Sequence, residues 1–175
     1  KTQLTEGAYG SHHPLIAAPF NPWSQDAWSG VSSSGSGVAV AAGLAYAALG
    51  SDTGGSIRFP SACNGLVGFK PTYGRVSLLG AFPLANRLVH IGPMTRCVED
   101  AARVLDAIAG FDAQDPNSVE EPVASYLPHL KPPHNPITVG IDETYISAGV
   151  PASVTRVLTD AVAEAGPKVN VHKVI

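Results

Sequence analysis

The chain has 175 residues, the length of one ordinary domain. Apolar residues make up 45% of it, enough for a core, whereas charged residues make up only 14% against a usual level of roughly 25%. The formal net charge of -3 and the scattered basic residues exclude a phosphate backbone or an anionic membrane as the natural partner.

Prolines 14, 19 and 22, with Trp23 and Trp28, make residues 11 to 37 a loop that ends in a Ser/Gly cluster. Ser34 or Ser36 is placed to cap a small-residue helix over about 37–47, because a hydroxyl accepts from the first free backbone N–H groups. Residues 47 to 51 lead into an Asp-Thr-Gly-Gly loop, and Ser56 to Cys63 reads as a short helix. Leu66 to Phe69 is a short apolar strand stopped by Pro71 and Gly74. Val98, Ala101, Ala102, Leu105, Ile108 and Ala109 follow the 3.6-residue period and predict a helix over 98–109. Its N-terminus carries Glu99 and Asp100, and Gly110 ends it. A Pro-rich connection over 111–136 leads to a strand at Ile137–Ile141, a helix over about 151–165 and a strand over 169–175. That β-α-β order predicts a parallel crossover.

Cys63 and Cys97 make neither a disulfide framework nor a metal spacing, and read as buried, reduced thiols of a cytoplasmic protein. His12-His13 lacks a third ligand at useful spacing and reads as polar loop. No apolar run reaches the ~18 residues that cross a bilayer. The abrupt start at Lys1 and the uncapped strand at the end read as cut ends, so a fragment is expected.

The chemistry is concentrated between Gly30 and Arg75. Gly30-Val31-Ser32-Ser33-Ser34-Gly35 precedes the small-residue helix, and Asp52-Thr53-Gly54-Gly55-Ser56-Ile57-Arg58-Phe59-Pro60 follows it, with Ser56 lying 24 positions after Ser32. Paired glycines let a substrate carbonyl approach main-chain N–H groups, and successive N–H groups at such a turn form an anion-binding nest. A phosphate loop, a Gly-x-Ser-x-Gly elbow and Ser-x-x-Lys are all absent from the sequence.

These two runs resemble the amidase signature family of serine amidohydrolases. Gly65-Leu66-Val67-Gly68-Phe69-Lys70-Pro71-Thr72-Tyr73-Gly74-Arg75 is similar to the family's next block, and Gly92-Pro93-Met94-Thr95-Arg96 with Glu99-Asp100 to the one after it. The resemblance implies an α/β fold: a central mixed β-sheet covered by helices on both faces, present here as the central part of a single amidase domain whose N- and C-terminal portions are missing. It implies a Ser–cis-Ser–Lys triad acting on linear amides, with Ser56 as nucleophile, Ser32 as proton partner and a cis peptide between Val31 and Ser32. Backbone N–H groups of Thr53, Gly54, Gly55 and Ser56 would hold the oxyanion. Ser33, Asp52 and Arg58 would touch substrate or support the loops, a pinning role being favoured for Asp52 and Arg58.

No metal or organic cofactor is implied, the partner is a small-molecule amide, and a homodimer is left open. Neither Lys1 nor Lys70 sits in the family's lysine context, so neither is assigned as base and the chain alone is expected to be inactive. Two positions depart from the family: Val31 stands where glycine is frequent, and Val89 where many relatives carry Asp. Phe59 replaces the Gln usual in tRNA-linked amidotransferase subunits, which favours a stand-alone amidase over such a subunit; a non-catalytic relative that has lost its lysine is the third reading.

Overall fold

The computed structural model describes residues 18–85, 87–131 and 135–174. Lys1 and His12-His13 lie outside the described residues. The chain divides into two compact units, 1–130 and 131–175.

The first unit is built on a three-stranded antiparallel sheet of β1 (Ala47–Asp52), β2 (Val67–Gly68) and β3 (His90–Thr95), in the order β1-β3-β2. The central strand β3 is not legible in the sequence, because Gly92 and Pro93 argue against a strand interior. Pro93 is tolerated for a geometric reason. It faces Leu49 across β1, and its carbonyl accepts the Phe69 N–H at 3.0 Å, so its main-chain polar groups face away from β1 and past the end of the short β2. Close packing explains Gly92: a Cβ there would run into the Phe69 carbonyl oxygen and come within 2.8 Å of the Pro71 ring.

Three helices pack on this sheet: α1 (Ser34–Ala41) against β1 and β3, α2 (Arg58–Cys63) against β2, and α3 (Val98–Ile108) against β3. Gly37 of α1 lies near Met94, and Gly50 lies near both Met94 and Ile57, so small residues set the spacing of this layer. Val40, Ile57 and Met94 have no solvent exposure and form its centre.

α1 ends six residues before the expected limit. The Gly43 N–H donates to the Val40 carbonyl and the Leu44 N–H to that of Ala39, the paired bonds of a Schellman stop, with Gly43 at φ +75°. Its serines do not cap it either. Ser36 Oγ donates to the Leu49 carbonyl of β1 at 2.9 Å, tying the helix to the sheet. The amphipathic α3 lies where its period predicts, with Ala101, Ala102 and Leu105 buried.

The thiols need correction. Cys97 is exposed, because it is the residue before the first turn of α3, and Cys63 is half-buried at the end of α2; both are free. Burial pushes the Cys63 thiol up from its ordinary pKa. The 111–136 connection is pinned by acidic side chains: Asp115 accepts from the Leu78 N–H at 2.7 Å, and Asp106 from the Tyr126 N–H at 2.6 Å.

In the second unit β4 (Ile137–Ile141) and β5 (Val169–Lys173) pair in parallel, as expected, with α4 (Glu143–Ser147) and α5 (Ala152–Glu164) between them in sequence. Asp142 caps α4 by accepting the Tyr145 N–H at 2.8 Å. Pairing is antiparallel throughout the three-stranded sheet of the first unit and parallel in the two-stranded sheet of the second.

Candidate active site

The two Ser/Gly runs meet at the end of β1. The Ser33 N–H donates to the Ser56 carbonyl at 3.2 Å. Ser33 Oγ also bridges the main chain of Ser51, donating to its carbonyl at 3.3 Å and accepting from its N–H at 3.2 Å. Ser33 is fully buried and Ser32 is 4% exposed. Ser56 is half-buried in the turn before α2. The Val31–Ser32 peptide is cis, as the resemblance implies. Gly30 (φ +74°) is pressed against Pro60, where a Cβ would lie 2.6 Å from the Pro60 Cα. Val31 keeps a negative φ, since no described non-glycine residue has a positive one.

Asp52 organises the loop over residues 53–58. It is fully buried at the end of β1 and accepts from the backbone N–H groups of Gly55 (2.8 Å), Ile57 (3.1 Å) and Arg58 (3.3 Å). Arg58 closes the ring with a two-pronged ion pair, Nε to Oδ2 and Nη2 to Oδ1, both at 3.0 Å. Burial alone would raise the Asp52 pKa. The Arg58 guanidinium and the three N–H groups outweigh it and hold the carboxyl at about 2. This network also explains why α2 starts at Arg58 rather than Ser56: the carboxylate draws the 53–57 segment into a tight loop before the helix begins.

One expectation changes here. The Gly55 N–H points at Asp52, so Gly55 leaves the set of oxyanion donors; the N–H groups of Thr53, Gly54 and Ser56 remain candidates. Asp52 and Arg58 bond to each other and to the loop backbone, and Ser33 bonds to both Ser51 and Ser56. Lys70 is engaged elsewhere, its Nζ donating to the Pro71 carbonyl at 2.9 Å.

Two asparagines that sequence reasoning passed over hold the 21–30 segment in place. Asn64 Nδ2 donates to the carbonyls of Ser29 and Pro60, each at 2.8 Å. Asn21 Nδ2 donates to those of Trp28 and Cys63, at 3.1 and 2.8 Å. Their only sequence signal is a position beside Gly65 and Pro22, which reads as ordinary turn chemistry. Trp23 donates its Nε1–H to the Asn64 carbonyl at 2.8 Å, and Trp28 meets Phe59 edge-on with ring centroids 5.0 Å apart. Val89 is 5% exposed within the core.

A cleft of about 500 Å³ opens beside β1, lined by Ser33, Ser51, Leu49, Leu79, Phe82 and Leu84 among others. Neither Ser32 nor Ser56 lines it. Its walls are largely apolar, and the bracing serine, not the two serines of the expected relay, touches it. Among the described residues, no group of three His, Cys, Asp or Glu side chains is arranged to hold a metal ion. No helix among them is long and apolar enough to cross a membrane.

The profile of the amidase family matches residues 1–169. The chain belongs to the amidase family. Its amidase relatives include AmiD of Mycobacterium tuberculosis, a provisionally named amidase, 52% identical over 81% of this chain and 30% of its own length. A glutamyl-tRNA(Gln) amidotransferase subunit of Moorella thermoacetica is 49% identical over 94% of this chain and 34% of its own length. Among solved amidase structures, the peptide amidase of Stenotrophomonas maltophilia superposes with a TM-score of 0.75 at 37% identity, over 89% of this chain and 32% of that one. The chain therefore spans about a third of the length of the amidases it matches.

Proposed function

We propose that this chain carries the acyl-transfer centre of an amidohydrolase and is the central part of one amidase domain. Ser56 Oγ attacks the carbonyl carbon of a carboxylic amide, and its proton passes to Ser32. A neutral lysine, a role that neither Lys1 nor Lys70 fills, takes the proton that Ser32 gives up. The tetrahedral oxyanion is held by the N–H groups of Thr53, Gly54 and Ser56. When the C–N bond breaks, Ser32 returns a proton to the leaving amine or ammonia. Water then cleaves the Ser56 ester, releasing the carboxylic acid and restoring the hydroxyl. A serine hydroxyl needs such a base because it is a weak nucleophile at neutral pH, and a lysine can be that base only where burial lowers its pKa.

The observation that carries this reading is the Ser33 N–H to Ser56 carbonyl bond, which brings the two family motifs to one place. The test is a fluorophosphonate probe on the full-length protein, followed by peptide mapping. The adduct is expected on Ser56. Ser56→Ala should abolish both adduct and amide hydrolysis, and Ser32→Ala should lower hydrolysis by about 10²-fold or more. An adduct on any other residue overturns the assignment.

A second reading is favoured by the 49% identity over 94% of the chain to an amidotransferase component. In that case the same acyl-enzyme chemistry would act on glutamine and pass ammonia to a partner protein. Co-purification of a partner protein together with glutaminase activity would establish it; hydrolysis of simple linear amides by the full-length protein without a partner favours the first reading.

A further inference from the structure

The segment through Ser32 is tied to the Ser56 segment on both sides. After Ser32, the Ser33 N–H donates to the Ser56 carbonyl at 3.2 Å. Before it, the tie is a side chain. Asn64 Nδ2 spends one hydrogen on the Ser29 carbonyl, three residues before Ser32, and the other on the Pro60 carbonyl, four residues after Ser56, each at 2.8 Å. Pro60 is itself fixed relative to Ser56. The Phe59 N–H donates to the Gly55 carbonyl at 2.7 Å and the Ser61 N–H to that of Ile57 at 3.2 Å, which roots α2 in the Ser56 loop. Between the two ties Gly30 lies so close to Pro60 that a Cβ would come 2.6 Å from the Pro60 Cα.

Asn64 is fully buried, and only one side of its amide is in use. Among the described residues nothing donates to its Oδ1. Turning the amide over would set that oxygen against two carbonyl oxygens, so the NH2 group must face them. A buried acceptor left without a partner costs stability, and what offsets it here is the link between the two carbonyls. Asn21 repeats the pattern one step out. Its Nδ2 donates to the Trp28 carbonyl at 3.1 Å and the Cys63 carbonyl at 2.8 Å, joining the same two segments. Trp23 completes the set, its N–H donating to Asn21 Oδ1 at 2.9 Å and its Nε1–H to the Asn64 carbonyl at 2.8 Å.

We propose that Asn64 is a positioning residue for the acyl transfer: its NH2 group sets where the Ser32 hydroxyl stands relative to Ser56, with Asn21 as the outer tie. This rests on the proposed Ser56–Ser32 relay. A proton passes between two hydroxyls only within hydrogen-bond reach, and a misplacement of about 1 Å costs on the order of 10²-fold in rate. Asn64→Leu keeps the branched shape of the side chain and removes both donors, so it releases the Ser29 end of the segment without opening a cavity.

The test is the second-order rate constant for fluorophosphonate labelling of Ser56 in the full-length protein, measured beside the thermal midpoint. That rate constant belongs to folded molecules alone and does not follow the fraction folded. Asn64→Leu should lower it by roughly tenfold or more. In a Ser32→Ala background the same substitution should change it by less than about twofold, because no hydroxyl is left to position. Where Asn64→Leu does not fold, Asn64→Ser, which keeps one donor, and Asn21→Ala take its place, with a smaller fall expected. A lowered thermal midpoint with an unchanged rate constant makes Asn64 structural only and overturns the proposal. An equal loss with and without the Ser32 hydroxyl overturns it as well. With the adduct on Ser56, either result leaves the nucleophile reading standing; an adduct on another residue removes that reading first and the positioning role with it.

Discussion

Asp52 receives five hydrogen bonds on two oxygens with no exposure to water. Replacing it by Ala strands a guanidinium and three N–H groups, and the cost should be about 3–5 kcal/mol, read as a lowered midpoint in urea unfolding of the full-length protein. Its pH signature follows from its pKa. The folded value, about 2, lies below the ordinary 3.8, so the stabilisation is complete above the ordinary value and is lost as pH falls through about 2. The expected loss is about 2 kcal/mol. Asp52→Asn should remove that part of the acid dependence, and an identical acid profile in the variant would count against the network. Ser33→Ala should cost about 1–2 kcal/mol, since it breaks both hydroxyl bonds to Ser51.

At the scale of elements, legibility tracks how local the cause is. The period of α3 is written in one stretch of chain, and the helix appears at Val98–Ile108. The stop of α1 is equally local, yet Gly43 is hidden in an Ala/Gly-rich run in which helix and stop look alike. Strand β3 depends on partners more than 20 residues away, and its Pro93 is acceptable only because β2 is too short to require a donor there. Gly92 is the sharper test. Gly92→Ala drives a methyl group into the Phe69 carbonyl and Pro71, and should destabilise the protein by about 1–3 kcal/mol. Gly43→Ala meets no atom within 4 Å but demands a positive φ of an L-residue, so its smaller cost comes from backbone conformation alone.

At the scale of the molecule, much apolar surface is uncovered. Tyr46 is 86% exposed, Leu44 81% and Trp23 71%, far more than a monomer of this size usually leaves open. With the chain spanning about a third of its amidase relatives, the isolated 175 residues are expected to bind a hydrophobic dye and to self-associate. Amide hydrolysis by the isolated chain is expected to be absent, because Lys70 is turned to the Pro71 carbonyl. Measurable turnover would force a different base. Size-exclusion chromatography with dye fluorescence checks the first expectation and an ammonia-release assay the second.

The residue types and their order determined the chemistry: two Ser/Gly runs, an acid at position 52 and a base at position 58 are properties of the chain, readable without a fold. They also determined α3, whose apolar period is written in one stretch of chain. Only the tertiary structure decided which main-chain groups are available. The Asp52 carboxylate claims the Gly55 N–H, the Ser33 hydroxyl braces β1, and Trp28 reaches Phe59 across the loop. Each of these is settled by a distance between segments far apart in sequence or by competition for a single donor, and a linear pattern records neither.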